Sequence, residues 1–183
     1  MSNGRFSGNP RTEWLSESGP DQRMQLLEAF WYDDPNGFRW NAPRGSIING
    51  ASIPKTLWSS VGSPYTGDYR MASIVHDVAC SNPKISRDDA DRMFYQACLA
   101  GGCTLFQAKI LYAGVCIGAA TGDWKLRSPY LTTNDEKAFK LPSEHSQAEV
   151  EVRAKFILMA KDLESTGDDF EEVRQVVIRH LEH

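Results

Sequence analysis

Hydrophobic and polar positions change rhythm along this chain, and each rhythm predicts an element. In residues 23–32, Met24, Leu26, Glu28 and Phe30 alternate with Gln25, Leu27, Ala29 and Trp31, a period of two with the aromatic enrichment that strands favour. Asp33-Asp34-Pro35-Asn36-Gly37 is then a turn, and 38–41 returns as the hairpin partner. Shorter strands at 11–15 and 46–48 complete a small antiparallel sheet. Residues 1–10 carry Gly, Asn, Ser and Pro without periodicity and are expected to lie over the surface.

After Gly50 the spacing becomes helical. Ser52 is expected to cap a short helix at 55–61 with Pro54 near its first turn. In 71–80, Met71, Ile74, Val75 and Val78 form an apolar stripe, with His76 roughly opposite among Tyr69, Ala72 and Cys80. Ser86 caps the next helix, with Asp89 as a capping-box acid, and Gly101-Gly102 ends it. Thr104 and Gln107 open a central core helix running to about residue 120, with Leu105, Phe106, Ile110, Leu111, Val115 and Ile117 as its core side chains. A polar connection at 121–145 carries Trp124, Tyr130 and Pro142 and reads as a lid or strap. Two helices follow, with Val150, Phe156, Ile157, Met159 and Leu163 on the first and Phe170, Val173, Val176 and Val177 on the second.

The expected fold is therefore α+β: a small N-terminal antiparallel sheet packed on three central helices, with a C-terminal helical hairpin. The expected division is 1–125 for the α+β domain, 126–145 for the strap, 146–180 for the hairpin and 181–183 as a tag remnant. The hairpin packs on the domain or on a second copy of the chain.

Composition narrows the function. A hydrophobic content of 41% in 183 residues supports a real core. A net charge of -4 with scattered basic residues leaves no footprint for nucleic acid. The start of the chain has no apolar signal-peptide core, and no run approaches the roughly 18 apolar residues of a spanning helix. The expectation is synthesis as a soluble cytoplasmic protein, with export by a dedicated machine leaving no such mark. Cys80, Cys98, Cys103 and Cys116 all fall in the helical centre and do not form a disulfide scaffold.

Candidate chemistry gathers on two helices. Asp91 shares a face with Phe94, Tyr95 and Cys98, where a carboxylate is costly unless paired. His76 and Asp91 stand nearly equidistant from the Asn82-Pro83-Lys84 turn, so an antiparallel hairpin permits a hydrogen bond between them. The pair is either a dyad for general-base chemistry or a structural lock. A second arrangement uses His76 and Cys80, spaced i and i+4, with Cys98 and Asp91 as a transition-metal cluster for zinc. A third makes Ser52 a nucleophile served by His76 and Asp91, without the G-x-S-x-G elbow. Arg92 and Lys109 are expected on solvated helix faces.

The pieces GRFSGNPRTEWL, INGASIPKTLW, VHDVAC and DADRMFYQAC together resemble the DUF1353 family, an uncharacterised group found in bacteria and their phages, from about residue 4 to 120. Asn49 stands where many members carry Asp before Gly-Ala-Ser. The His-Asp pair followed by Asp-x-x-Phe-Tyr also resembles the core of prokaryotic phospholipase A2 enzymes over residues 74–98. That second resemblance implies His76 as the base that activates water, Asp91 as its orienter and Asp77 as a calcium ligand. Carbonyls of the loop 62–67 would complete the calcium shell, and calcium would polarise an ester carbonyl.

The leading expectation is thus a hydrolase with a His76–Asp91 dyad and Ca2+ at Asp77, cleaving a lipid ester. The alternatives are a non-enzymatic, phage-derived structural, delivery or binding protein, and a cell-wall hydrolase.

Overall fold

The computed structural model describes residues 3–16, 23–121 and 146–182. The expected strap at 126–145, with Trp124, Tyr130 and Pro142, lies outside the described residues, as does His183 of the expected tag remnant. The architecture is α+β: short antiparallel strands, then helices, then a C-terminal helical pair.

The strands are β1 (Arg5–Phe6), β2 (Thr12–Trp14), β3 (Met24–Leu26), β4 (Phe30–Asp33), β5 (Arg39–Ala42) and β6 (Ile47–Ile48). They form two three-stranded antiparallel sheets, β1-β4-β5 and β2-β3-β6, where the pattern predicts one. The run 23–32 is not a single strand. It changes sheets across residues 27–29, with β3 paired to β2 and β6, and β4 paired to β1 and β5. The same parity is nonetheless buried on both sides of the corner, Met24 and Leu26 before it and Phe30 and Tyr32 after it, while Glu28 at the corner is exposed. A period of two sets which face is inward but not which strand is the neighbour. Residues 5–6, expected to be loose, pair with Tyr32 and Asp33.

The β4–β5 hairpin closes as its turn signal predicts. Asp34 Oδ1 accepts from the backbone N–H groups of Asn36 and Phe38, the Asx-type bonding for which Asp is favoured in turns.

Residues Lys55–Leu57 form a 3-10 turn that leads into α1 (Trp58–Val61). Ser52 does not cap it: Pro54 holds the cap position and no side chain bonds there. The central helices are α2 (Arg70–Ser81), α3 (Arg87–Ala100) and α4 (Leu105–Thr121). Ser86 Oγ caps α3 by accepting from the Asp89 N–H, and Thr104 and Gln107 bond reciprocally at the start of α4.

α2 packs against α3 and against β4, β5 and β6. Its buried side chains are Ala72, Ile74, Val75, Ala79 and the polar Ser73, His76 and Asp77, while Met71 and Val78 are only partly buried. The expected apolar stripe is therefore off-centre. Small residues on the His76 side allow close approach on that face, which the count of large apolar side chains does not register.

On α4, Leu105 and Phe106 are exposed rather than core. Lys109, expected in solvent, is buried and donates from Nζ to the carbonyls of Leu163 and Thr166. Those carbonyls belong to the end of α5 (Gln147–Glu164), which begins with a Ser146/Glu149 capping box, and to the turn before α6 (Phe170–Glu182). The C-terminal pair packs on α4 through Phe156, Met159, Leu163, Val173, Val176 and Val177. Val150 and Ile157, expected on the apolar face, point to solvent.

Candidate functional site

His76 lies midway along α2 and is fully buried. Its Nε2 is 2.7 Å from Asp91 Oδ1 on α3, so the turn between the helices does bring the two level. The imidazole also stacks at a tilt on Phe94, 4.7 Å between ring centroids. Arg87, one turn before Asp91 on α3, donates from Nε to the same Oδ1 at 2.8 Å and from its terminal nitrogen to the Val115 carbonyl at 3.0 Å. One carboxylate oxygen thus serves two cations, and the guanidinium ties α3 to α4.

The proton on His76 is strongly held. Burial works against the imidazolium, but the bonds to Asp91 and Cys80 outweigh it and raise the pKa to about 9. These bonds favour the protonated ring, which donates hydrogen bonds.

Two thiols complete this neighbourhood. Cys80 Sγ stands 3.5 Å from His76 Nε2, and Cys116 Sγ on α4 stands 3.9 Å from Asp91 Oδ2. Burial and the Asp91 charge push the Cys116 thiol well above its ordinary range. Cys98, expected beside His76, is instead hydrogen-bonded to Cys103 and fully buried.

Asp77 takes a different direction from its neighbour, as residues about 100° apart on a helix must. Its Oδ2 accepts from the Asn49 backbone N–H at 2.7 Å. The loop 62–67 reaches the same place through Tyr65, whose hydroxyl donates to the Asn49 carbonyl, while the Gly62 carbonyl accepts from Tyr69. The Ser52 carbonyl packs against Gly118 of α4, and His76 is bonded to Asp91 and Cys80 rather than to the serine.

Arg87 and Cys116 are the residues that sequence reasoning missed. Arg87 had a signal, since it precedes Asp91 by four positions and i,i+4 pairs share a helix face. Cys116 had none, because a contact between α3 and α4 depends on how the helices cross.

Two surface depressions flank the β4–β5 hairpin. One of about 170 Å³ is lined by Phe38, Trp40, Val75, Val78 and Ile85 among others, and one of about 500 Å³ by Phe38, Trp40, Lys84, Asp88, Arg92 and Met93 among others. Neither is lined by His76 or Asp91. Among the described residues no helix is long and apolar enough to cross a membrane.

A family model described as "Protein of unknown function (DUF1353)" matches residues 24–115. The uncharacterized protein y4jT of Sinorhizobium fredii (strain NBRC 101917 / NGR234) is 36% identical over 125 residues, covering 68% of this chain and 36% of the relative. The uncharacterized protein y4iH of the same strain is 36% identical over 96 residues, covering 52% of this chain and 40% of the relative. The chain therefore spans well under half the length of the curated relatives it matches. No solved structure matches, and the phospholipase A2 resemblance of residues 74–98 finds no support in these comparisons.

Proposed function

This chain belongs to the DUF1353 family, and we propose that it is a non-enzymatic binding module whose His76–Asp91–Arg87 network locks α2, α3 and α4 together. One observation carries this: His76 is fully buried, lines neither surface depression and holds its proton against a pKa of about 9. A general base must reach the proton it abstracts, directly or through one water, and must be unprotonated at working pH. The lengths of the relatives, more than twice the matched region, agree with a unit used as part of a larger protein.

A second reading keeps a hydrolase, supported by the His76 Nε2 to Asp91 Oδ1 contact of 2.7 Å, which is the orientation a base and its positioning carboxylate need. In it, His76 activates water and Asp77 holds Ca2+ near an ester, of a lipid or of the cell wall. It requires the core to open and His76 to lose its proton.

The test is turnover and stability measured together. The full chain is incubated with phosphatidylcholine vesicles, short-chain esters and peptidoglycan, with calcium and with EDTA, and compared with His76→Gln. The binding-module reading expects no turnover and a lowered Tm in the variant. Calcium-dependent hydrolysis lost in a His76→Gln variant of unchanged Tm would overturn it in favour of the hydrolase.

A further inference from the structure

We propose that His76, Cys80 and Asp91 form a buried zinc site at the junction of α2 and α3. The inference sets aside the reading of His76 as a base, since the metal would occupy its ring nitrogen. One ligand atom from each of His76, Cys80 and Asp91 lies within 4.8 Å of the others, and the Cys116 thiol meets the remaining oxygen of Asp91.

The spacings match what the metal imposes. Zinc bonds of about 2.0–2.1 Å to nitrogen and about 2.3 Å to sulfur place a nitrogen and a sulfur about 3.6 Å apart across a tetrahedral ion. His76 Nε2 and Cys80 Sγ stand at 3.5 Å, on one helix face at i and i+4. His76 Nε2 and Asp91 Oδ1, at 2.7 Å, are closer than the roughly 3.3 Å across an ion because a proton lies between them now. Replacing that proton by the metal asks the pair to part by well under an ångström.

Charge also balances. Binding removes protons from His76 and Cys80 and leaves one thiolate, one carboxylate and a neutral imidazole around a divalent ion, a net of zero. Arg87, bonded to Asp91 at 2.8 Å and anchored on the Val115 carbonyl, fixes the carboxylate. A thiol and an imidazole select zinc over calcium or magnesium, which take oxygen ligands. Cys80 is partly exposed, which gives the ion a way in.

The test uses the full chain, kept reduced, stripped with EDTA and titrated with Co2+ as a spectroscopic stand-in. The expected result is a thiolate-to-cobalt charge-transfer band at one ion per chain, erased by zinc, with protons released. Cys80→Ser should weaken the band and lower zinc affinity about 10-fold or more, while Cys116→Ser and Cys98→Ser leave both unchanged. A reduced wild type without the charge-transfer band overturns the proposal. So does a band that survives Cys80→Ser and is lost with Cys98→Ser, because the metal would then sit at Cys98 and Cys103.

Discussion

The Ser52 carbonyl lies so close to Gly118 that a side chain on that glycine would overlap it, and this contact seats the Gly50-Ala51-Ser52-Ile53-Pro54 loop on α4. Gly114, one turn earlier, faces the Ile53 side chain, whose Cγ2 stands 3.3 Å from where a Cβ would be. Gly118→Ala must displace backbone and should cost about 1–3 kcal/mol, whereas Gly114→Ala should cost clearly less, because it asks a side chain to give by only a few tenths of an ångström and alanine favours the helix. Urea unfolding of the two variants measures the difference. Equal costs would mean that the loop is not seated as described.

Lys109 should be costly to remove although it is a lysine on a helix. Its Nζ caps the end of α5 by donating to Leu163 at 3.3 Å and Thr166 at 2.7 Å. Lys109→Met keeps the volume but takes the donor from the Thr166 carbonyl, while Leu163 keeps the Thr166 hydroxyl, at about 1–3 kcal/mol. Hydrogen exchange should quicken first in α5 and α6. Exchange that quickens instead in the strands would show that the lysine supports a different part of the molecule.

These two contacts mark where sequence reasoning ran out. The His76–Asp91 pair was legible because both residues are counted from one turn, and the Ser86 and Thr104 caps were legible because capping is local. The burial of Lys109 was not, since its acceptors lie more than fifty positions away in the chain. The division of the strands into two sheets was likewise hidden, because alternation through Met24, Leu26, Phe30 and Tyr32 reads the same across a corner as along one strand. Asp77 entered the reading only as a calcium ligand implied by a resemblance; its burial on α2 was not legible, since the Asn49 N–H that it accepts comes from a loop no local pattern could position.

Two arginines should separate buried from surface pairing. Arg87 bonds the buried Asp91 and the Val115 carbonyl, while Arg174 reaches the exposed Asp88 at 3.2 Å. Arg87→Ala should destabilise by about 1.5–3 kcal/mol, since hydrogen bonds to a charged, desolvated group are at stake. Arg174→Ala should cost at most about 1 kcal/mol and less in high salt. Denaturant midpoints at two salt concentrations test both, and a loss at Arg87 that vanishes with salt would place Asp91 at the surface.

The raised pKa of His76 carries a definite pH signature. Its proton is bound more tightly in the folded chain, at about 9, than in the unfolded chain, at about 6.5. Its contribution to stability is therefore fully present below about pH 6.5 and is lost as pH rises through about 9. The groups facing it are Asp91 and, through that carboxylate, Arg87 and Cys116, with Cys80 on its own helix. Asp91→Asn removes the partner that holds the proton and strands two cations, so it should destabilise by about 3–5 kcal/mol at neutral pH and flatten or reverse the slope across this window. Unfolding midpoints at pH 6, 7.5 and 9 with EDTA present, for the wild type, Asp91→Asn and His76→Gln, provide the measurement. His76→Gln acts as the reference, since any slope it retains belongs to other groups. If the wild type and His76→Gln share one slope, the folded chain does not raise the His76 pKa, the ring is largely neutral above pH 7, and the principal objection to its acting as a base falls.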